Sequence, residues 1–516
     1  MKKRVIKGTL LSVAALTSLL SCQNNVEPVV ARESVDKIDK NNIAFTSEDI
    51  VNDKFGGLGV EWGAYENTDK LIENGWEKII DHMDHLGPAR IRLMINYDWF
   101  CQDFDDKGDF DKTNDTWSYN FTNKYALNML DILDYTQVHG IDVAFGCWNV
   151  IGTLDKPDVW NMMDEVTSDI RWAKISADVL NFLVNQKGYS CIKWFVSSNE
   201  PNWLGNQGSS KNYNNTYEKW ETGVKNVRKA LDDIGLTQIG IVGGDTTGYA
   251  GCDEYFTGIA KRIPGYVADY GAHLYLSNYE VDRGVLLSEI EGMINKIQKL
   301  DPEAGKSRPF EVWEAGFLDG KTPLDSQTMI MSSSYAVRMT DYTIQCLANG
   351  LDGLVYWDFD DAMHFMYLPN STVPKEWGMF SSLAESSAQK QELRPWYHSS
   401  SLLCHLIKKG NKIYSPIQNN TELDDTFRSL ATVNADGTQG GFVAVNAAFA
   451  KVRKTFYLDD AVAGDKLYIY IFNESSYKLD SQGYIEPNYV IDGSLNKKLT
   501  LDFDPNTVIV VSNERL

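Results

Sequence analysis

Along the middle of the chain, short apolar runs alternate with stretches in which apolar residues recur every three or four positions. The runs fall at 55–62, 89–95, 142–148, 192–198, 239–245, 270–275, 310–315 and 353–359, and each has the length of a buried strand. The stretches between them present helical faces. Tyr217, Trp220, Val224, Val227, Leu231 and Ile234 mark one such face; Leu286, Ile290, Met293, Ile297 and Leu300 mark another. Eight strands with intervening helices over about 350 residues is the arithmetic of an α/β chain folded as a (β/α)8 TIM barrel. A doubly wound sheet alternates in the same way, and in either architecture chemistry sits where strands end.

From residue 411 the texture changes. Gly440–Asn446, 454–458, Lys466–Phe472 and Thr507–Ser512 read as strands separated by Asp, Asn and Gly turns, with no helical period between them. This predicts a C-terminal antiparallel β-sandwich packed on the barrel, with a strand at 42–51 available to complete it. At the other end, Lys2, Lys3, Arg4 and Lys7 precede an apolar stretch at 8–20 that is too short to span a bilayer. It reads as an export signal. Its end, Leu19-Leu20-Ser21-Cys22, resembles a bacterial lipobox, in which the cysteine is acylated and becomes the new N-terminus. The expected organisation is a signal peptide at 1–21, a polar tether at 22–41, a barrel at 42–410 and the sandwich at 411–516. A lipoprotein of the bacterial cell envelope is the expectation, held at the outer membrane or cell surface through its N-terminal lipid only.

Charge and composition narrow the partners. Lys and Arg number 49 against 71 Asp and Glu, and the net charge of −22 repels nucleic-acid phosphates and anionic headgroups. No nucleic acid partner is expected. The 14 Trp and 26 Tyr supply flat apolar faces of the kind on which sugar rings stack. Cys101, Cys147, Cys191, Cys252, Cys346 and Cys404 are far apart and form no CxxC pair. Several lie in apolar runs, so buried thiols are expected and a structural metal site is not.

The strand ends carry the candidate chemistry. The fourth run turns polar as Ser197-Ser198-Asn199-Glu200-Pro201-Asn202-Trp203, and the seventh ends in Glu314-Ala315-Gly316. In a barrel these two glutamates face each other across the mouth. Hydrolysis of a glycosidic bond with retention uses two carboxyls about 5–5.5 Å apart, one an acid and one an ionised nucleophile. Each motif also has a plain reading, since Ser-Asn-Glu-Pro is a good helix start and Glu314 could be a strand-end surface charge; the pairing on these two strands is what favours chemistry.

Asn199-Glu200-Pro201 and Glu314 resemble the acid/base and nucleophile signatures of the clan A glycoside hydrolases. The accompaniment is similar to glycoside hydrolase family 5: an Arg on the second strand (Arg92), His-x-Tyr on the sixth (His273-Leu274-Tyr275) and a Trp ending the eighth (Trp357). Where that family has a His at the end of the third strand, this chain has Trp148-Asn149. The terminal sandwich and Phe55-Gly56-Gly57 look more like families 30 and 39. The resemblance covers about residues 50–400 and implies a retaining glycoside hydrolase cleaving β-linked oligo- or polysaccharide, with no cofactor. Glu200 would be the acid/base and Glu314 the nucleophile, held ionised by Arg92 and Tyr275. Asn199 would bind the sugar 2-OH. His273 would orient Glu200 or Tyr275, Trp357 would stack on the sugar, and Trp62, Trp148, Asn149 and Trp203 would line the cleft. Glu61, Asp358 and Asp360 are further candidates for sugar hydroxyls. The competing expectations are a non-catalytic glycan-binding lipoprotein on the same scaffold and a metal-dependent hydrolase. The first needs no paired carboxylates with Arg and Tyr, and the second needs His or Asp clusters at strand ends.

Acylation at Cys22 is expected to determine where the protein resides. Cys22→Ala should move it from the membrane fraction to the soluble fraction; unchanged fractionation would refute the anchor.

Overall fold

The computed structural model describes residues 41–65, 71, 73–95, 119–148, 168, 170–204, 216–361, 375–382, 392–416, 426–459 and 464–516. The export signal, Cys22, nearly all of the tether, Cys101, Asn149 and the side chain of Trp203 lie outside the described residues.

Strands are numbered along the chain. β1 (Asn42–Phe45) and β2 (Ile50–Asn52) precede the barrel strands β3 (Gly57–Glu61), β4 (Arg90–Ile95), β5 (Asp142–Cys147), β6 (Ile192–Val196), β7 (Gly240–Ile241), β8 (Gly244–Thr247), β9 (Tyr270–Leu276), β10 (Phe310–Phe317) and β11 (Gly353–Tyr356). The sandwich strands are β12 (Lys412–Tyr414), β13 (Phe427–Val433), β14 (Gly440–Asn446), β15 (Val452–Leu458), β16 (Lys466–Phe472), β17 (Tyr489–Asp492), β18 (Leu499–Phe503) and β19 (Thr507–Ser512).

The barrel sheet runs β7-β6-β5-β4-β3-β11-β10-β9-β8, and its pairs are parallel. Its two ends, β7 and β8, are halves of one strand interrupted at Val242 and Gly243, so eight strands close on themselves. Only glycine fits at the interruption. A Cβ on Gly243 would lie 2.0 Å from the Asp269 carbonyl oxygen, while the Gly243 N–H donates to Asp269 Oδ1 at 2.7 Å. Inside the barrel, Met94, Ala144, Val196, Val242, Trp313 and Val355 form an apolar filling. Arg90, paired to Glu311 at 2.7 Å, lies 5.1 Å from the Trp194 ring. The helical faces read from sequence pack outward of the sheet: Tyr217, Trp220, Val224, Val227 and Leu231 are buried along the helix Tyr217–Asp233. Cys147, Cys191, Cys252, Cys346 and Cys404 are all buried.

β1 and β2 join the sandwich rather than the barrel, and they are two strands rather than the single one expected at 42–51. The sandwich stacks a seven-stranded sheet, β17-β16-β19-β14-β13-β12-β2, on a three-stranded one, β1-β15-β18. Between them lies an aromatic core in which Phe456 stacks on Phe442 with centroids 4.4 Å apart. Side-chain contacts tie this unit to the barrel. Arg428 on β13 pairs with Asp341, in the helix Ser333–Ala348, at 2.6 Å, both nearly without exposure. Tyr484 donates to Asp81 at 2.8 Å, lies 3.0 Å from His82 Nδ1 and stacks on His85 at 3.5 Å.

A chain ended near Gly410 would strip Asp341 of its cation, uncover the face of the helix Ser333–Ala348 that packs on the sandwich and leave β2 without β12. Such a truncation is expected to aggregate, as seen by size-exclusion chromatography; a soluble truncation with full activity would contradict the supporting role of the sandwich.

Candidate active site

The carboxylates are aimed by departures from regular strand geometry. In β10 the register against β9 shifts between Val312 and Glu314. Trp313 already points into the barrel, so ordinary alternation would turn Glu314 outward; the extra residue turns it inward. The same happens on β8, where Gly244 pairs with Gly271 and Thr246 with Ala272, leaving Asp245 as the extra residue. Asp245 and Glu200 adopt left-handed backbone, at φ +52 and +42, which costs of order 1–3 kcal/mol per residue and is held by surrounding structure. Here the Glu200 N–H donates to the Asp245 carbonyl at 3.0 Å.

Arg92 is the hub. Its Nη1 donates to Glu314 Oε1 at 2.8 Å and to Glu61 Oε2 at 3.0 Å. Its Nη2 donates to Asn199 Oδ1 at 2.7 Å and to Asp245 Oδ2 at 2.8 Å. Tyr275 donates to Glu314 Oε2 at 2.6 Å. His273 bridges the two glutamates and the aspartate: Nδ1 lies 3.0 Å from Glu200 Oε1 and 3.4 Å from Glu314 Oε1, and Nε2 lies 2.9 Å from Asp245 Oδ1. One atom each of Glu200, His273 and Glu314 lie within 4.8 Å of one another.

Burial opposes charge on His273, but Asp245 and Glu314, with hydrogen bonds to Asp245 and Glu200, hold the imidazole up at about 10. These charges favour the imidazolium, which donates at both nitrogens. Burial also opposes charge on Asp245, yet Arg92 and His273 hold its carboxyl below the ordinary value. Glu61 is pushed up to about 8 by burial, against the pull of Arg92. Burial is the largest influence on Glu314 too, and its carboxyl sits above its ordinary value although His273, Arg92 and Tyr275 pull it down. Arg92 and Tyr275, expected to hold it ionised, do pull its proton affinity down, but desolvation outweighs them.

The structure brings together Glu61, Arg92, Asn199, Glu200, His273, Tyr275 and Glu314. Trp148 covers Arg92, whose guanidinium carbon is 5.4 Å from the ring centroid, and meets Trp357 edge-on at 5.6 Å. Three expectations change. Trp62 follows Glu61 and so points to the opposite side of the strand; it packs on Trp76 and Tyr135 in the helical layer, away from the cleft. Glu61 has no exposed side-chain surface, which does not fit a contact to a sugar hydroxyl. Asp360 is engaged internally by Ser382 at 2.6 Å and Tyr65 at 3.2 Å. Two residues were missed: Asp245, and Trp377, whose ring meets Tyr275 edge-on at 5.7 Å.

No protein-family model matches the chain, and no curated protein matches it in sequence. Solved structures do match in fold. A glycoside hydrolase family 30 subfamily 8 xylanase from Clostridium acetobutylicum superposes with a TM-score of 0.57 at 11% identity, covering 91% of this chain and 99% of that one. A GH39 enzyme from Xanthomonas axonopodis pv. citri gives 0.57 at 16%, covering 91% and 96%. A family 51 α-L-arabinofuranosidase from Bifidobacterium longum gives 0.58 at 12%, covering 92% and 100%. The chain thus has the barrel-plus-sandwich fold found in the clan A glycoside hydrolases.

The raised proton affinity of His273 fixes the sign of a pH effect. Its contribution to stability is fully present below the ordinary histidine value of 6.5 and is lost as pH rises through about 10. His273→Gln is expected to flatten the fall in melting temperature between about pH 7 and 10. Calorimetry of both proteins checks this, and identical slopes would remove the charge from His273.

Proposed function

We propose that the protein is a retaining glycoside hydrolase acting on β-linked glycans, with Glu314 as nucleophile and Glu200 as acid/base. The observation that carries this reading is the pair itself: carboxylate oxygens of Glu200 and Glu314 within 4.8 Å, at the ends of β6 and β10. An inverting pair stands about 6.5–9.5 Å apart to admit water between substrate and base. In the first step Glu314 bonds to the anomeric carbon while the glycosidic C–O bond breaks and the Glu200 proton passes to the leaving oxygen. In the second, Glu200 takes a proton from water, whose oxygen displaces Glu314.

The neighbours suit these roles. Tyr275 and Arg92 fix both oxygens of Glu314, and His273 donates to Glu200, which steadies that carboxylate once it has given up its proton. Asn199 accepts from Arg92 through its oxygen, leaving its NH2 group to donate to a sugar hydroxyl. Trp357 and Trp377 offer apolar surface beside Tyr275. Anchoring at a bacterial envelope through Cys22 belongs to the same proposal, and places the site where glycans are met.

Glu200→Ala should slow glycosides with poor leaving groups by about 10²–10⁴-fold and activated aryl glycosides far less, since only the former need protonation. Glu314→Ala should abolish turnover of both. NMR of the first-formed product from a β-linked substrate should show the β-anomer. An initial α-anomer would overturn retention, and wild-type turnover by Glu314→Ala would remove Glu314 from the mechanism.

A further inference from the structure

Glu61 is left over by that mechanism. It ends β3, in register with Arg92 on β4, and neither side chain has exposed surface. One of its oxygens takes a hydrogen bond from Arg92 Nη1 at 3.0 Å, the same nitrogen that holds Glu314 at 2.8 Å. Its other oxygen, Oε1, is buried and makes no hydrogen bond. A buried polar atom ordinarily has a partner, and leaving one without costs far more on an ion than on a neutral group.

The charges around it point the same way. Arg92 on β4, Glu314 on β10, Asp245 on β8 and Asp358, just after β11, are the charged groups that face Glu61. One guanidinium already serves Glu314 and Asp245. The other cation of the site, His273, is spent on Asp245, Glu200 and Glu314. A further full negative charge at Glu61 would have no cation of its own.

Resting on the retaining reading above, we propose that Glu61 is a positioning residue: it keeps a proton in the resting site, so that Arg92 directs its charge to Glu314 while Glu61 accepts only a neutral hydrogen bond. Ionised, Glu61 competes for Nη1. It loosens the bond that aims Glu314 and raises the proton affinity of the nucleophile by like charge. Burial places that ionisation near pH 8, so loss of the proton switches activity off on the alkaline side. Glu61 touches neither the substrate nor the reacting atoms in this arrangement and acts through Arg92.

Kinetics of Glu61→Gln and Glu61→Ala test this. Gln keeps the neutral acceptor on Nη1; Ala removes it and lets the guanidinium shift, a displacement on a scale that can lower kcat/KM by about 10². At pH 6.5, Glu61→Gln should recover most of what Glu61→Ala loses, and its alkaline limb should lie above that of wild type. The infrared carbonyl band of a protonated carboxyl should be present in wild type at pH 6.5 and reduced in Glu61→Gln. If Gln falls as far as Ala, or the pH profiles of Gln and wild type superimpose, or wild type shows no protonated carboxyl band at pH 6.5, the proposal is overturned. The infrared result needs no turnover, so it stands apart from the retaining reading. That reading fails on a different observation, turnover by Glu314→Ala.

Discussion

Arg92 carries a full positive charge into a place with no exposed surface. Removing a guanidinium from water costs several kcal/mol, which well-placed acceptors offset. Four acceptors take the N–H groups of Nη1 and Nη2, from β3, the turn after β6, β8 and β10, while Nε is buried without a hydrogen-bond partner among the described residues. Solvating one charge therefore draws the mouth of the barrel together. Any displacement of these strand ends would leave a buried ion short of partners, a loss far larger than that of a surface ion pair. Shape at the site and closure of the barrel are, in this sense, one constraint.

The same constraint accounts for the tolerated backbone strain. Glu200 and Asp245 sit in left-handed conformations that non-glycine residues seldom adopt. The Asp245 side chain is fixed by Arg92 and His273, and its carbonyl receives the Glu200 N–H. The strain is thus held by the charge network rather than by local preference. Farther out, Arg428–Asp341 places another buried ion pair at the barrel–sandwich seam.

Much of this was legible in the chain. The apolar runs gave eight barrel strands because strands covered on both faces are continuously apolar, and the polar turn after Val196 exposed Glu200. Other features follow from contacts distant in sequence. At the break between β7 and β8 the Gly243 N–H bonds to the Asp269 side chain, a contact that the run at 239–245 does not reveal. Asp245 ends the run at 239–245 with no motif to mark it; its partnership with His273 appears only once β8 and β9 are in register. Trp377 comes from a return loop with no periodicity. Glu61 and Trp62 are sequence neighbours with opposite fates, and strand alternation was the signal that could have separated them.

The central claim is that Glu314 forms the covalent bond to sugar. An aryl 2-deoxy-2-fluoro glycoside with a good leaving group slows both steps through its electron-poor ring yet favours the first, so the glycosyl-enzyme accumulates. After incubation with gluco- and xylo-configured reagents of this kind, peptide mass spectrometry should find one sugar ester, on Glu314. An adduct on Glu200, Glu61 or Asp245 instead would contradict the account.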